Sequence, residues 1–433
     1  MAIAWDRARA AHLYRRAAFG ATPADIERAL DEGLEATVER LLDLTVPNDA
    51  LDARLARQTD LDLTKAGGII RWWTIRLAWS ARPLEERMTL FLHDHFATAI
   101  SKVQPGPMLE QNQLLRRHAL GNFTTLTTDI ARDVAMLIWL DNHTNVKDHP
   151  NENFGRELLE LFLLGHGNYS EEDVAAAAKA FTGWTISRQT RRFIFVDRLH
   201  DHSQKTFLGR TGDWDGDDIV RMACDEEAHA RFLAEKLYFF FVHEHAEASV
   251  IDRFAKVYRD AGTELKPLVR AILTSEEMYS DHVLWSKVKS PADHAITALR
   301  QLAIDDDRAA RVASNAMSAE GQTLFNPPDV AGWDGGMQWI NSASLLTRMN
   351  FGAPLLNWFD PARFLEGSSW STAAELVDVY LDRLGPLDVP ASTRAALEGY
   401  VAPGGALPSG STLTWRMRGL AQMVISLPEW QKV

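Results

Sequence analysis

The sequence predicts a mainly α protein: a large multi-helix globular body with a small β-hairpin insert near residues 190–210. Two patterns predict it. Apolar residues recur at helical spacing along most of the chain, as Ile26, Leu30, Leu34 and Val38 do. Alternation at period two is confined to Arg191–His200, where Phe193, Phe195 and Leu199 fall in rough alternation beside β-branched Ile194 and Val196. A third observation concerns organisation. Pro- and Gly-rich punctuation is brief, and no fixed-period repeat or low-complexity tract interrupts the chain, so residues 1–433 read as one large helical domain. Within it we distinguish an N-terminal helical subdomain (1–107), a central motif-bearing core (108–351) and a C-terminal helical segment (352–433).

The elements follow in order. Thr22 is placed to cap a helix that has Pro23 at its first position and runs to Leu42. Segments 70–81 and 84–100 are apolar on broad faces and predict buried helices. Helical patterns continue at 109–120, 125–140, 171–182, 219–224, 228–240, 249–261, 265–274 and 291–302. Gln104–Pro107, Asn326–Gly336, Val401–Gly405 and Pro408–Gly410 are loops.

Composition excludes several classes of function. The single Cys224 among 433 residues rules out an internal disulfide framework and thiolate metal clusters. A net charge of −13 argues against sequence-independent nucleic-acid or anionic-membrane binding. The apolar cluster Leu237–Val242 is far shorter than the ~20 residues a membrane span needs. Arg15 and Arg16 invite a twin-arginine reading, but no apolar export core follows, so they read as a pair on a helix surface. The expected location is the cytoplasm. No phosphate-binding glycine loop and no nucleophile elbow occurs, and the cofactor is left open, with a divalent or iron site still allowed.

The densest polar constellation is Asn151–His166, one helix between Pro150 and Gly165. At about 100° per residue, Phe154, Leu158 and Leu161 form its apolar face. Asn153, Glu157, Glu160 and Leu164 fall along one edge of that face. Two carboxylates at i, i+3 beside a buried stripe suit a general acid with a raised pKa, or a shared metal. The plainer reading pairs Arg156 with Glu152 and Glu160 as a solvated charged face. His93 and His95 lie on a helix, where their rings diverge, so a core-facing, hydrogen-bonded His95 is favoured over a two-histidine clamp. His243 and His245 are read in the same way. His200, Asp201 and His202 follow the strand, where their side chains can converge, with Lys205 after them. Asp213, Asp215 and Asp217 imitate a calcium loop, but Asp218 and Cys224 hold the positions that need Gly and Glu. Asp217 or Asp218 is expected to cap the next helix.

The segment Asn326–Ile340 is polar and rigid. Pro327 and Pro328 restrict the backbone, while Gly332, Gly335 and Gly336 permit close approach. The chain has 14 Trp against 7 Tyr. Trp72, Trp73, Trp79 and Trp139 belong to helices and the core. Trp184, Trp333 and Trp339 sit in motif segments, where a ring face could meet a sugar.

Taken in order, eight segments resemble the bacterial "domain of unknown function 1800" family. They are His12–Gly20, Phe91–Phe96, Asn151–Glu160, Tyr169–Val174, Phe181–Thr185, His200–Lys205, Asn326–Trp333 and Trp339–Ser342. The resemblance carries no established activity. It implies that members are often exported, and that an alkaline-phosphatase-like protein encoded nearby is a candidate partner.

Three functional readings follow. The first is a hydrolase of glycosides or polysaccharides. Glu157 or Glu160 would be its general acid, Asp201 or Asp329 the second carboxylate, and Asn153, Arg156, Trp184, His200, Lys205, Trp333 and Trp339 the substrate contacts. The second is a non-catalytic binding or assembly protein, whose motifs are buried ionic networks. The third is a metal-dependent oxidoreductase of non-haem iron type. There His95 and His166 would be ligands beside Glu157 and Glu160, with His200 as an alternative to His166. The expected ligand is a small molecule or polysaccharide, with no nucleic acid and no membrane insertion.

Overall fold

The computed structural model describes residues 3–433 and is mainly helical, with two short antiparallel hairpins. The first pairs β1 (Trp184–Ile186) with β2 (Phe193–Phe195), Trp184 opposite Phe195. The second pairs β3 (Lys205–Phe207) with β4 (Arg210–Gly212), Lys205 opposite Gly212. The insert read from the 191–200 alternation is thus present, and a second hairpin follows it. Among the described residues no helix is long and apolar enough to cross a membrane.

Several boundaries shift for identifiable reasons. Thr22 caps Pro23–Glu32 through a capping box with Asp25, but the helix stops at Gly33, whose φ of 82° breaks the α geometry before Leu34–Leu41 begins. The 125–140 pattern divides into Phe123–Ala131 and Val134–Trp139, because the Asp133 carboxylate accepts from the Met136 N–H and starts a new helix. Asp215, not Asp217 or Asp218, caps Gly216–Cys224. The motif helix is also irregular. Glu152–Glu157 is α, and Leu158–Leu163 widens into a π-helical turn, which rotates Glu160 away from its ideal α position.

Arg15 and Arg16 lie on Arg7–Ala18 but not on its surface: both are buried. The Arg15 guanidinium stacks 3.5 Å over the Trp285 ring and donates to the Gly385 carbonyl. Arg16 donates to the Val283 carbonyl and the Ser286 hydroxyl. A charge pair on a helix reads as surface by default. Here the helix is enclosed by segments more than 250 residues away in the chain, which local pattern cannot reveal.

Helix Pro83–His95 organises the interior. Every residue of it except Pro83 and Asp94 is buried. Leu84, Met88, Phe91 and Leu92 pack into one apolar core, which extends through Phe123, Phe162, Leu237 and Tyr258. Leu90 packs into a second core with Phe19, Trp73, Leu299, Phe325 and Trp430, drawn from both ends of the sequence. Two ionic groups tie this helix to its neighbours. The fully buried Glu86 carboxylate accepts from Arg76 Nε at 2.9 Å, from Arg116 Nε and Nη2 at 2.8 Å, and from Trp73 Nε1 at 3.1 Å. Arg87 pairs with Asp293 at the start of Pro291–Gln301.

Removing one partner of a buried ion network leaves the others charged and unpaired. Glu86→Gln should therefore lower unfolding stability by about 3–5 kcal/mol, measured by urea denaturation. A loss below about 1 kcal/mol would mean that Arg76 and Arg116 reach solvent.

Candidate functional site

The motif residues fall into three groups. The first is a set of carboxylates on the outer side of the motif helix. Asn151 accepts from the Asn153 N–H and starts Glu152–Glu157. Arg156 forms the predicted i−4 pair with Glu152, but its stronger partner is Glu171 on the next helix, bridged by two hydrogen bonds of 2.9 and 2.7 Å. Glu160 is thereby left free of Arg156. It accepts from the Tyr169 hydroxyl at 2.8 Å and lies 3.1 Å from Nε2 of the exposed His166. Burial and the Glu160 carboxylate push the Tyr169 hydroxyl up to about 12.

Glu157 is half-buried, and that desolvation raises its pKa above the usual carboxylate range. The neighbouring charge of Glu160 raises it further, Arg156 opposes, and Asp329 adds to the rise. Glu157, Glu160 and Asp329 therefore share one electrostatic neighbourhood, although Asp329 comes from a loop far along the chain. Asp329 is held in a turn, accepting from the Ala331 N–H at 2.8 Å. Asn153 is exposed, and its amide donates to the Leu140 carbonyl.

The second group surrounds a cavity of about 80 Å³ on the inner side of the 326–340 loop. Arg16, Arg87, Asp94, Lys287, Trp333 and Trp339 are among its walls. Four of the eight segments meet there, contributing Arg16, Asp94, Trp333 and Trp339. The loop can approach because Gly332 has φ 90° and no side chain. A Cβ at Gly332 would lie 2.6 Å from the Asp94 carbonyl oxygen. The Trp333 N–H then donates to the Asp94 carboxylate at 2.7 Å. Burial raises Asp94 to about 7, against the opposing Trp333 hydrogen bond and Lys236. Lys236 is itself lowered to about 8 by burial, with Asp94 acting to raise it. It donates to the Leu161 carbonyl at 3.0 Å, linking this cavity to the motif helix. Trp333 is 9% exposed and packs in the second core, so Trp339, half-buried, offers the more open ring.

His95 lies among Phe91, Phe96, Phe123 and Phe162. Its Nε2 is 3.0 Å from the Phe162 carbonyl and its Nδ1 3.4 Å from the Lys236 ammonium. Desolvation holds it well below its ordinary pKa. It is the core-facing, hydrogen-bonded histidine that the helix geometry favoured. His166, exposed beside Glu160, stands apart from this aromatic cage.

The third group sits on the hairpins. Trp184 is only 3% exposed, packed edge-on against Phe181 and Phe193 with Arg132 over its ring. It therefore supports the hairpin core. His200 is buried, and its Nδ1 lies 2.8 Å from the Thr182 carbonyl. Lys205 is buried and donates to Asp213 and to the Ser203 carbonyl, both at 3.0 Å. Partial burial would raise Asp201, but hydrogen bonds from Ser203 and the charge of Lys205 hold it below its usual range. His200, His202 and Asp213 each place one ligand-type atom within 4.8 Å of the others.

A sequence model for a family described as a protein of unknown function (DUF1800) matches residues 12–432. The chain belongs to this family. No curated protein and no solved structure matches it. Membership fixes kinship over nearly the whole length and leaves the activity to be argued from the residues.

Sequence reasoning passed over Asp94, Arg87, Lys287 and Tyr169. Asp94 carried a usable signal: it is the single acidic residue in the run Leu90–Phe96, whose other members are apolar or histidine. Arg87 and Lys287 carried none, since their burial depends on contacts remote in sequence.

The raised Asp94 has a thermodynamic consequence. An unfolded chain releases this proton near pH 3.8, whereas the folded protein keeps it to about pH 7. Between those values the folded state holds the extra proton, so the contribution of Asp94 to stability falls as pH rises. Asp94→Asn should flatten that fall in thermal midpoints measured across the interval. Asp133, also raised to about 7, acts in the same direction, whereas the buried His93 and His229, lowered to about 3 and about 4 by desolvation, contribute the opposite slope and remain in the variant. An unchanged slope in the variant would show Asp94 to be ionised throughout.

Proposed function

We propose that this protein is a hydrolase of glycosidic bonds, acting on a glycoside or polysaccharide, with Glu157 as the proton donor. The observation that carries the reading is the protonation bias of Glu157. Half-burial and two like charges, Glu160 and Asp329, hold its proton above the usual carboxylate range, while Glu160 is supported as an acceptor by Tyr169 and paired with His166. Carboxylates whose environments differ in this way divide into an acid and a base. Glu157 would protonate the leaving-group oxygen, and Glu160 or Asp329 would act from the other side of the bond, activating water or attacking the sugar carbon. The π turn at Leu158–Leu163 places Glu160 beside Tyr169, and such turns recur at functional sites.

A second reading rests on a different observation. Met337, Leu345, Leu346 and Met349 are exposed apolar side chains on and beside Ser342–Asn350, as in a protein that binds or assembles with a partner. In that case the carboxylates would serve stability alone.

Glu157→Gln, Glu160→Gln and Asp329→Asn, assayed separately on a polysaccharide panel, distinguish the two. Loss of the general acid should lower turnover about 10²–10⁴-fold with little change in unfolding midpoint. Unchanged turnover in both glutamine variants, or a wild-type protein inert on the whole panel, sinks the hydrolase reading.

A further inference from the structure

We propose that His200, His202 and Asp213 form a binding site for a divalent transition-metal ion of the iron-to-zinc series. The site is distinct from the carboxylates of the motif helix, and its argument stands whether or not those carboxylates are catalytic.

Geometry comes first. Ligand atoms around an ion with bonds of about 2.0–2.2 Å stand roughly 3–4 Å apart. The three candidate atoms here lie within 4.8 Å of one another, so closure onto an ion needs only a small contraction. The His202 Nδ1 to Asp213 Oδ2 separation is 3.4 Å, longer than a good hydrogen bond, and the His200 and His202 rings sit 4.8 Å apart, edge to face.

The outer partners fix which atoms are offered. His200 Nδ1 faces the Thr182 carbonyl at 2.8 Å and must carry the proton there, which leaves a lone pair on Nε2. His202 Nε2 faces the Asp197 carboxylate at 3.1 Å, which leaves the Nδ1 lone pair directed to Asp213. Asp213 spends Oδ1 on Lys205, so Oδ2 remains. Each imidazole thus has its second nitrogen held by an oxygen, the arrangement that orients metal-bound histidines.

The support is rigid. Thr182 and Gly183 pack directly onto His200. Gly183 has φ 80°, and a Cβ there would come within 2.8 Å of the Val196 carbonyl and 3.2 Å of the His200 nitrogen. Charge agrees. Lys205 is the cation that both Asp201 and Asp213 sense, and Asp197 stands beyond His202. With Lys179, which also acts on Asp201, the set of two ammoniums and three carboxylates carries a net charge of −1, which favours a cation. Two imidazoles and one carboxylate select transition ions over calcium or magnesium, which prefer oxygen alone. His202 and Asp213 are exposed, so coordination positions remain open to water or a ligand.

The test uses the full chain, stripped with chelator and titrated with Co²⁺ and Zn²⁺. Cobalt absorption in the visible and calorimetry should give one site per chain. His202→Ala and Asp213→Asn should each weaken it at least tenfold, while His245→Ala, at an exposed histidine outside the site, should not. Both ligand variants replace exposed side chains, and circular dichroism confirms their fold. The proposal is overturned if wild-type protein takes up no metal, or if His202→Ala binds as tightly as wild type. Retained glycosidase activity in metal-free protein would leave this site standing and separate it from the carboxylate chemistry.

Discussion

The constraint on which the structure depends is the burial of helix Pro83–His95 between two apolar cores. A helix enclosed on all sides has no solvent face on which to place its charges, yet this one carries Glu86, Arg87 and Asp94. Glu86 is neutralised by Arg76 and Arg116, and Arg87 by Asp293. Each charge therefore fixes a neighbouring helix in position, because a mispacked neighbour would strand a charge in the interior. Glu85, buried beside Arg82 at 3.1 Å, is pushed up by desolvation, and Asp94 is the charge that faces the 326–340 loop. It meets a backbone N–H from the Trp333 loop and the nearby Lys236, and it keeps its proton to about neutral pH.

The Asp94 contact positions the candidate site. The 326–340 loop is drawn against Asp94 through Gly332. The same loop carries Asp329 toward Glu157 on one side and Trp333 and Trp339 to the cavity on the other. Lys236 links the two sides by bonding the Leu161 carbonyl. The carboxylates of the motif helix and the cavity behind the loop are thus two faces of one construction, with the central helix as its base. The hairpins are secured separately, by Trp184 against Phe181 and Phe193, and by the Thr182–Gly183 turn under His200.

Much of this was legible in the sequence. Apolar period gave the helices, Phe193 and Phe195 gave the hairpin, and the glycines of the 326–340 loop announced a close approach that Gly332 makes. Glu157, Glu160 and Asp329 were singled out as residue types, and the structure brings them into one electrostatic neighbourhood. What local pattern could not show was enclosure. Arg15 and Arg16 read as surface because their covering partners, Trp285, Gly385 and Val283, are hundreds of residues away. Trp184 and Trp333 read as ligand faces because nothing in the motif reveals which rings the core will claim. Asp213 looked like a failed calcium loop, and its place beside His200 and His202 depends on the register of a hairpin only three residues to an arm.

Burial, with the charges of Glu160 and Asp329, holds Glu157 toward its protonated form. Carbon-detected NMR titration of the Glu157 carboxyl tests this most directly. The expected result is an apparent pKa above the ordinary value of about 4.3, falling when Glu160→Gln or Asp329→Asn removes a like charge. A Glu157 titration at the ordinary value, unmoved by either substitution, would contradict it.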